Sequence, residues 1–149
     1  MKISEMIARE ILSLLDEQDG IAEIKRNDFA NKLGCVPSQI NYVLTSRFSA
    51  SQGFIVESRR GGGGYIKITR VSDDKKAQIM HIVQSLGSEL ELNEARSILI
   101  NLCYQEYIDS KTAGLILSCI SDTALKGVDP AKRNNVRADI FKNALVLAL

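Results

Sequence analysis

No apolar run in this chain approaches the roughly 20 residues that a membrane-spanning helix requires. Its charged start, with Lys2, Glu5, Arg9 and Glu10, holds no signal-peptide core. Cysteine is scarce: Cys35, Cys103 and Cys119 are odd in number and widely spaced, which argues against a disulfide framework and suits a reducing, cytoplasmic setting. Histidine is scarcer still. A single His81 beside scattered cysteines assembles neither a zinc site nor a Cys-His nucleophile, so no metal or other cofactor is expected. No two carboxylates are marked by their context as acid and base. What remains is a non-enzymatic soluble chain of 149 residues, enough for one large domain or two small ones.

Charge and glycine are where the sequence departs from the ordinary. Residues 1–23 carry two basic and six acidic side chains, for a net −4. Residues 24–70 carry eight basic and two acidic ones, for +6, and residues 71–149 come to −1. The basic window contains Arg59-Arg60-Gly61-Gly62-Gly63-Gly64-Tyr65. Each glycine adds to the entropy that folding must overcome, so four in a row mark either an idle tip or a backbone that lies very close to something. The flanking Arg59, Arg60, Tyr65 and Lys67 make a polyanion the natural candidate.

Along the chain, Ser4 is placed to cap a helix with Ile7, Ile11, Leu14 and Leu15 on one face, ending near Asp19-Gly20. Ile21 to Ile24 reads as a short extended connection or a minor strand. Asn27 can cap a short helix that stops at Gly34, and Pro37-Ser38 opens another, with Ser38 as cap and Ile40, Val43 and Leu44 inward. Small Ala30, the turn at Gly34 and the return of Ile40 and Val43 to the core are what a helix-turn-helix needs. The outward face of its second helix carries Ser38, Gln39, Asn41, Tyr42 and Thr45, with Arg47 at its end. Gln and Asn can each donate and accept toward an adenine edge. Phe54 to Ser58 and Tyr65 to Thr69 alternate as two strands of a hairpin around the glycines. Lys25 and Arg26, ahead of the first short helix, are placed to hold phosphates.

The fold expected is therefore mainly α with a small β-hairpin. It comprises a winged helix-turn-helix over residues 1–71, a linker over 72–76 and a four-helix domain over 77–149. In the last domain Ile79, Ile82, Val83 and Leu86 form a stripe ended by Gly87, and Asn93 caps a helix burying Ala95, Ile98, Leu99 and Leu102. Asp109 caps one carrying Ala113, Ile116, Leu117 and Ile120, and the helix after Pro130 carries Val136, Ile140, Ala144 and Leu147. So thin a core should gain burial by self-association. As a nucleotide-binding loop the glycine run fails, because no Lys-Ser/Thr follows it and a strand comes next. A DNA-contacting wing, with Arg59 or Arg60 at the minor groove, satisfies the charge and the neighbouring helices together. A winged helix that binds a protein surface instead is the competing reading. Cys35 reads as a turn residue with a possible redox role.

Two long stretches, Cys35-Val36-Pro37-Ser38-Gln39-Ile40-Asn41-Tyr42-Val43 and Gly53-Phe54-Ile55-Val56-Glu57-Ser58-Arg59-Arg60 followed by Gly61 to Gly64, Tyr65 and Ile66, closely resemble the CtsR family. These are repressors of class III heat-shock genes in low-GC Gram-positive bacteria. Glu23-Ile24-Lys25-Arg26 fits the same pattern, and Tyr107-Ile108-Asp109 anchors the C-terminal half. The resemblance implies a homodimer that binds directly repeated operator elements in double-stranded DNA upstream of Clp protease and chaperone genes, and releases them on heating. It implies that the wing senses temperature and that Arg60 is the target of a protein-arginine kinase. The kinase, its zinc-finger activator and a Clp ATPase are the implied partners. Arg59 stands where the family pattern has Lys, which leaves the choice of modified arginine between Arg59 and Arg60.

Overall fold

The computed structural model describes residues 2–59, 64–72 and 74–148, which divide into two units at Asp73–Asp74. The first holds α1 (Ile3–Glu17), β1 (Ile21–Lys25), α2 (Arg26–Leu33), α3 (Pro37–Arg47), β2 (Phe54–Arg59) and β3 (Tyr65–Arg70). The second holds α4 (Lys75–Ser85), α5 (Leu92–Tyr104), α6 (Ser110–Cys119) and α7 (Arg133–Leu147). Short 3-10 turns precede β2 and α7, at Ala50–Gln52 and Pro130–Lys132.

Ile21 to Lys25 is a full strand, so the expected two-stranded hairpin is a three-stranded antiparallel sheet in the order β1-β3-β2. The register sorts the side chains by face. Ala22, Ile68 and Val56 form one inward row and Ile24 and Ile66 the next, with exposed Ser58 in register at its end. Glu23, Lys67 and Glu57 lie outward, as do Lys25, Tyr65 and Arg59. The inward rows close over Ile7, Ile11 and Leu15 of α1, Phe29 of α2, and Ile40 and Val43 of α3, all buried. Phe48 and Phe54 meet edge to face with ring centroids 4.8 Å apart and seal the end of that core.

Helix starts differ from those expected in α1, α2, α3 and α5, each of which begins ahead of the expected capping side chain. In α1, Met6 N–H bonds the Lys2 carbonyl at 3.2 Å, so the first turn closes ahead of Ser4. In α2, Lys25 is held extended by pairing with Tyr65, helix begins at the next residue, and Asn27 is already inside it. In α3, Pro37 occupies the first helical position with Val36 as N-cap, and Gln39 Oε1 accepts the Val36 N–H at 3.1 Å. Ser38 is therefore not the cap. Gly34 ends α2 at φ +69°, and no atom stands within 4 Å of where its Cβ would be. The turn needs glycine for its backbone conformation alone.

In the second unit Asp74 caps α4 by accepting Ala77 N–H at 3.0 Å, so Lys75 and Lys76 are helical and the connection is shorter than residues 72–76. The helix ends at Ser85, with Leu86 extended beyond it, before Gly87 is reached. Glu91 rather than Asn93 holds the N-cap of α5, and Asn93 Oδ1 instead accepts from Arg96 at 2.8 Å. Asp109 caps α6 as expected, accepting Thr112 N–H at 2.7 Å. The expected face of α7 is rotated: Arg137, Ala138, Phe141 and Leu145 are buried, and Leu147 is 88% exposed. Arg137 causes this. Its guanidinium donates to the carbonyls of Ile120 at 2.8 Å and Leu90 at 3.2 Å, to Asp122 Oδ1 at 2.5 Å and to Asn134 Oδ1. A cation at the centre of the unit thus orients the helix.

Thr112, through its side chain and then its backbone, holds the Asp109 carboxyl below the ordinary aspartate range. A depressed folded-state pKa contributes stability that is complete above the unfolded value of about 3.9 and is lost as pH falls through the lower folded value. Asp109→Asn keeps a capping side chain without the charge. It should lower stability slightly near pH 7, where the charge contributes, and remove part of the acid-side decline, as followed by circular dichroism between pH 7 and 2.

Candidate nucleic-acid interface

On α3, Ser38, Asn41, Tyr42 and Thr45 follow the i, i+3, i+4, i+7 spacing of one helical stripe, and all four are exposed, Tyr42 by 66%. No acidic residue shares it. The Thr45 hydroxyl donates to the Asn41 carbonyl at 2.9 Å, which turns its methyl and remaining lone pairs outward. Gln39 differs from the sequence expectation, being half-buried with its amide oxygen committed to Val36.

The wing rises from a compact root on the sheet. Lys25, Tyr65 and Arg59 stand side by side across the sheet, one from each strand. Tyr65 Oη donates to the Glu23 carboxylate. That bond, more than burial and the Glu23 charge, pushes the phenol above its ordinary pKa, while Arg59 pulls the other way. Tyr65 is thus engaged in bracing the root. Behind it, Arg26 N–H donates to the Gly64 carbonyl at 2.9 Å, tying the start of α2 to the start of β3. Gly64 sits at φ +81°, and a Cβ there would come within 3.1 Å of Arg26 Nη1. Conformation and close approach both demand glycine. Arg60, Gly61, Gly62 and Gly63 lie outside the described residues.

Arg47 corrects a sequence expectation. It is only 5% exposed, with Nη1 3.3 Å from Glu5 Oε1 of α1, and so it joins two helices and does not face a ligand. Gln52 acts nearby, donating through Nε2 to the Ser46 carbonyl at 2.8 Å, and Arg70 pairs with Asp16 at 2.9 Å. The Glu5, Glu23 and Asp16 roles were missed because each partner lies at least 42 residues away along the chain. Burial raises the Cys35 thiol pKa, away from reactive thiolate. Among the described residues no three His, Cys, Asp or Glu side chains gather as a metal site. No described helix is long and apolar enough to cross a membrane.

Between α3 and β2 runs an open cleft of about 530 Å³, with Arg26, Asn41, Thr45 and Ser58 around an apolar floor that includes Leu44, Phe48 and Phe54. A helix pair joined through a left-handed glycine, an exposed polar helix, a basic wing root and a separate helical unit define a winged helix-turn-helix transcriptional regulator. Residues 2–72 match the family model described as the CtsR N-terminal HTH domain, and residues 74–146 match the CtsR C-terminal dimerization domain. The chain belongs to the CtsR family. It is similar to the transcriptional regulator CtsR of Geobacillus stearothermophilus, with 36% identity over 96% of this chain and 92% of that protein. The counterpart from Staphylococcus saprophyticus is 37% identical over 96% and 94%, and that from Bacillus subtilis 35% identical over the same shares. A crystal structure of CtsR in complex with a 26bp DNA duplex aligns with TM-score 0.76 and 35% identity, covering 99% of this chain and 98% of that one. These relatives are named as regulators, and this chain is a regulator of that kind and not an enzyme.

Arg47→Ala should lower the unfolding free energy by about 1–3 kcal/mol, since it removes a shielded guanidinium that ties α3 to Glu5 of α1. It should leave the salt dependence of duplex binding by the folded protein unchanged. Urea titration and fluorescence anisotropy separate the two.

Proposed function

We propose that the chain is a dimeric, sequence-specific repressor that binds directly repeated operator elements of Clp protease and chaperone genes in the cytoplasm. The observation that carries this is the α3 stripe of Ser38, Asn41, Tyr42 and Thr45, exposed and free of acidic side chains, in the same unit as the basic sheet row Lys25, Tyr65 and Arg59. The stripe has the dimensions and chemistry of a major-groove reader, and Asn41 can pair bidentately with adenine. Arg59, Arg60 and the glycines Gly61 to Gly64 follow the adjacent minor groove, where narrow A-tract grooves attract arginine. The similar solved structure, itself a complex with duplex DNA, supports this assignment. Dimerisation falls to the second unit, whose family description names that role. The open face of α6, with Leu115 66% exposed, is the surface we assign to it.

Release follows from two properties of the wing. Fixing glycine against DNA costs more backbone entropy than fixing any other residue, and that cost grows with temperature. A phosphoryl group on Arg60 replaces a cation with an anion facing the DNA backbone. A protein-arginine kinase with its activator would apply that change, and a Clp ATPase would remove the released repressor.

Arg60→Ala should weaken operator affinity by about 1–3 kcal/mol if Arg60 reads DNA directly. Gel-shift titration on a direct-repeat duplex measures it, and unchanged affinity would take Arg60 out of the mechanism. Gly63→Pro should either abolish binding or move the temperature at which the operator is released. An unaltered melting profile of the complex counts against a thermosensing wing. Weak salt dependence, with no preference for operator over random duplex, would assign the winged domain to protein binding instead.

A further inference from the structure

The chain shields several arginines, and three of them have a carboxylate at hand: Arg47 with Glu5, Arg70 with Asp16, and Arg137 with Asp122. Arg26 is different. Its Nε is fully shielded and meets no hydrogen-bond acceptor among the described residues, and no ion pair among them uses its guanidinium. Shielding a guanidinium N–H without a partner is unfavourable, and a fold tolerates it where an outside acceptor completes the site. The same side chain lines the cleft between α3 and β2, together with Asn41, Thr45 and Ser58. A cation in a cleft that also holds the Asn41 amide and the Ser58 hydroxyl, both able to donate, is a site for an anion with several oxygens.

The geometry points to a phosphate site in this cleft, with Arg26 as its cation and a backbone phosphate of duplex DNA as its occupant. This rests on the DNA-binding reading above and deepens it. The cleft separates the helix assigned to the major groove from the wing assigned to the minor groove, and the strand between two adjacent grooves is the sugar–phosphate backbone. Arg26 also touches the wing, through its N–H to the Gly64 carbonyl at 2.9 Å and through Nη1, which lies where a Gly64 Cβ would crowd it. Seating a phosphate therefore stiffens the side chain on which the wing root rests. Arg26 is both a phosphate ligand and a positioning residue for Arg59 and the glycines, a role that Lys25, exposed on the opposite face of the sheet, does not share.

The test compares wild type, Arg26→Gln and Arg26→Lys full-length protein on a direct-repeat duplex. Arg26→Gln should lose about tenfold in affinity for operator and random duplex alike, and the slope of log affinity against log salt should fall by about 0.9 for each phosphate that is no longer neutralised. Arg26→Lys should recover the slope, which also guards against a folding defect in the Gln variant. Replacing single phosphates by neutral methylphosphonates should reveal one position per half-site that weakens wild type and leaves Arg26→Gln indifferent. Combining Arg26→Gln with Arg59→Ala should cost less than the two separate losses together, because the wing already lacks its support. Equal sensitivity of wild type and Arg26→Gln at every phosphate, or strict additivity with Arg59→Ala, would overturn the assignment. Inorganic phosphate should shift the Arg26 Nε–H resonance in the free protein and fail to do so once duplex is bound. If that shift persists in the complex, the site belongs to a free anion and not to DNA. Should wild type bind no duplex at all, the DNA-binding reading fails, and the phosphate titration still decides whether Arg26 holds an anion.

Discussion

The pairing of β3 with β1 is the constraint on which the reading head depends. Five residue pairs run from Ile21↔Thr69 to Lys25↔Tyr65, and the residue after the last pair is already the first of α2. With no loop between strand and helix, the wing and the helix-turn-helix cannot move independently. The Arg26 N–H to Gly64 carbonyl bond continues the ladder one step beyond the strand. A two-stranded hairpin alone is marginal in water. The third strand is what turns it into a rigid mount.

Within this first unit several cations are neutralised by acidic side chains of the same unit. α1 and the turn after it carry the acidic excess of residues 1–23. From there Glu5 and Asp16 reach across to Arg47 and Arg70, and Glu10 to Lys32 at 3.4 Å. The exposed Lys32–Glu10 pair contributes little. The shielded pairs matter more, because a missing partner would leave a buried charge. Lys25, Arg26 and Arg59, which no ion pair among the described residues uses, are the cations we propose for an external polyanion. The modest net charge of +1 thus conceals a directional field.

Much of this was legible in the sequence because it rests on local chemistry. Gly34 as a left-handed stop, Pro37 as a helix opener and Asp109 as a cap act within a few residues of themselves, and periodicity exposed the inner faces of α1 and α5. What stayed hidden depends on partners far along the chain. Ile21 to Lys25 lacks a strand's length on its own and becomes one only against Tyr65 to Thr69. Arg47 read as a ligand-facing cation because Glu5 is 42 positions away. α7 was misoriented because apolar periodicity gives no weight to a buried arginine such as Arg137, whose acceptors lie in the segments around Leu90, Ile120 and Asp122. The N-caps of α1, α2, α3 and α5 lie two residues ahead of the side chains expected to cap them.

The sheet order leaves β1 and β2 as its two open edges. Each carries an outward pair of opposite charges near the wing, Glu23 with Lys25 on one and Glu57 with Arg59 on the other. Edge strands recruit other copies most readily when they are flat, long and apolar, and inserted charges discourage that. These edges are short and charged. A regulator proposed to let go of DNA when the cell is hot must then persist as free protein under the conditions that drive exposed strands to stack. The same residues that orient the wing would guard it against aggregation in its released form.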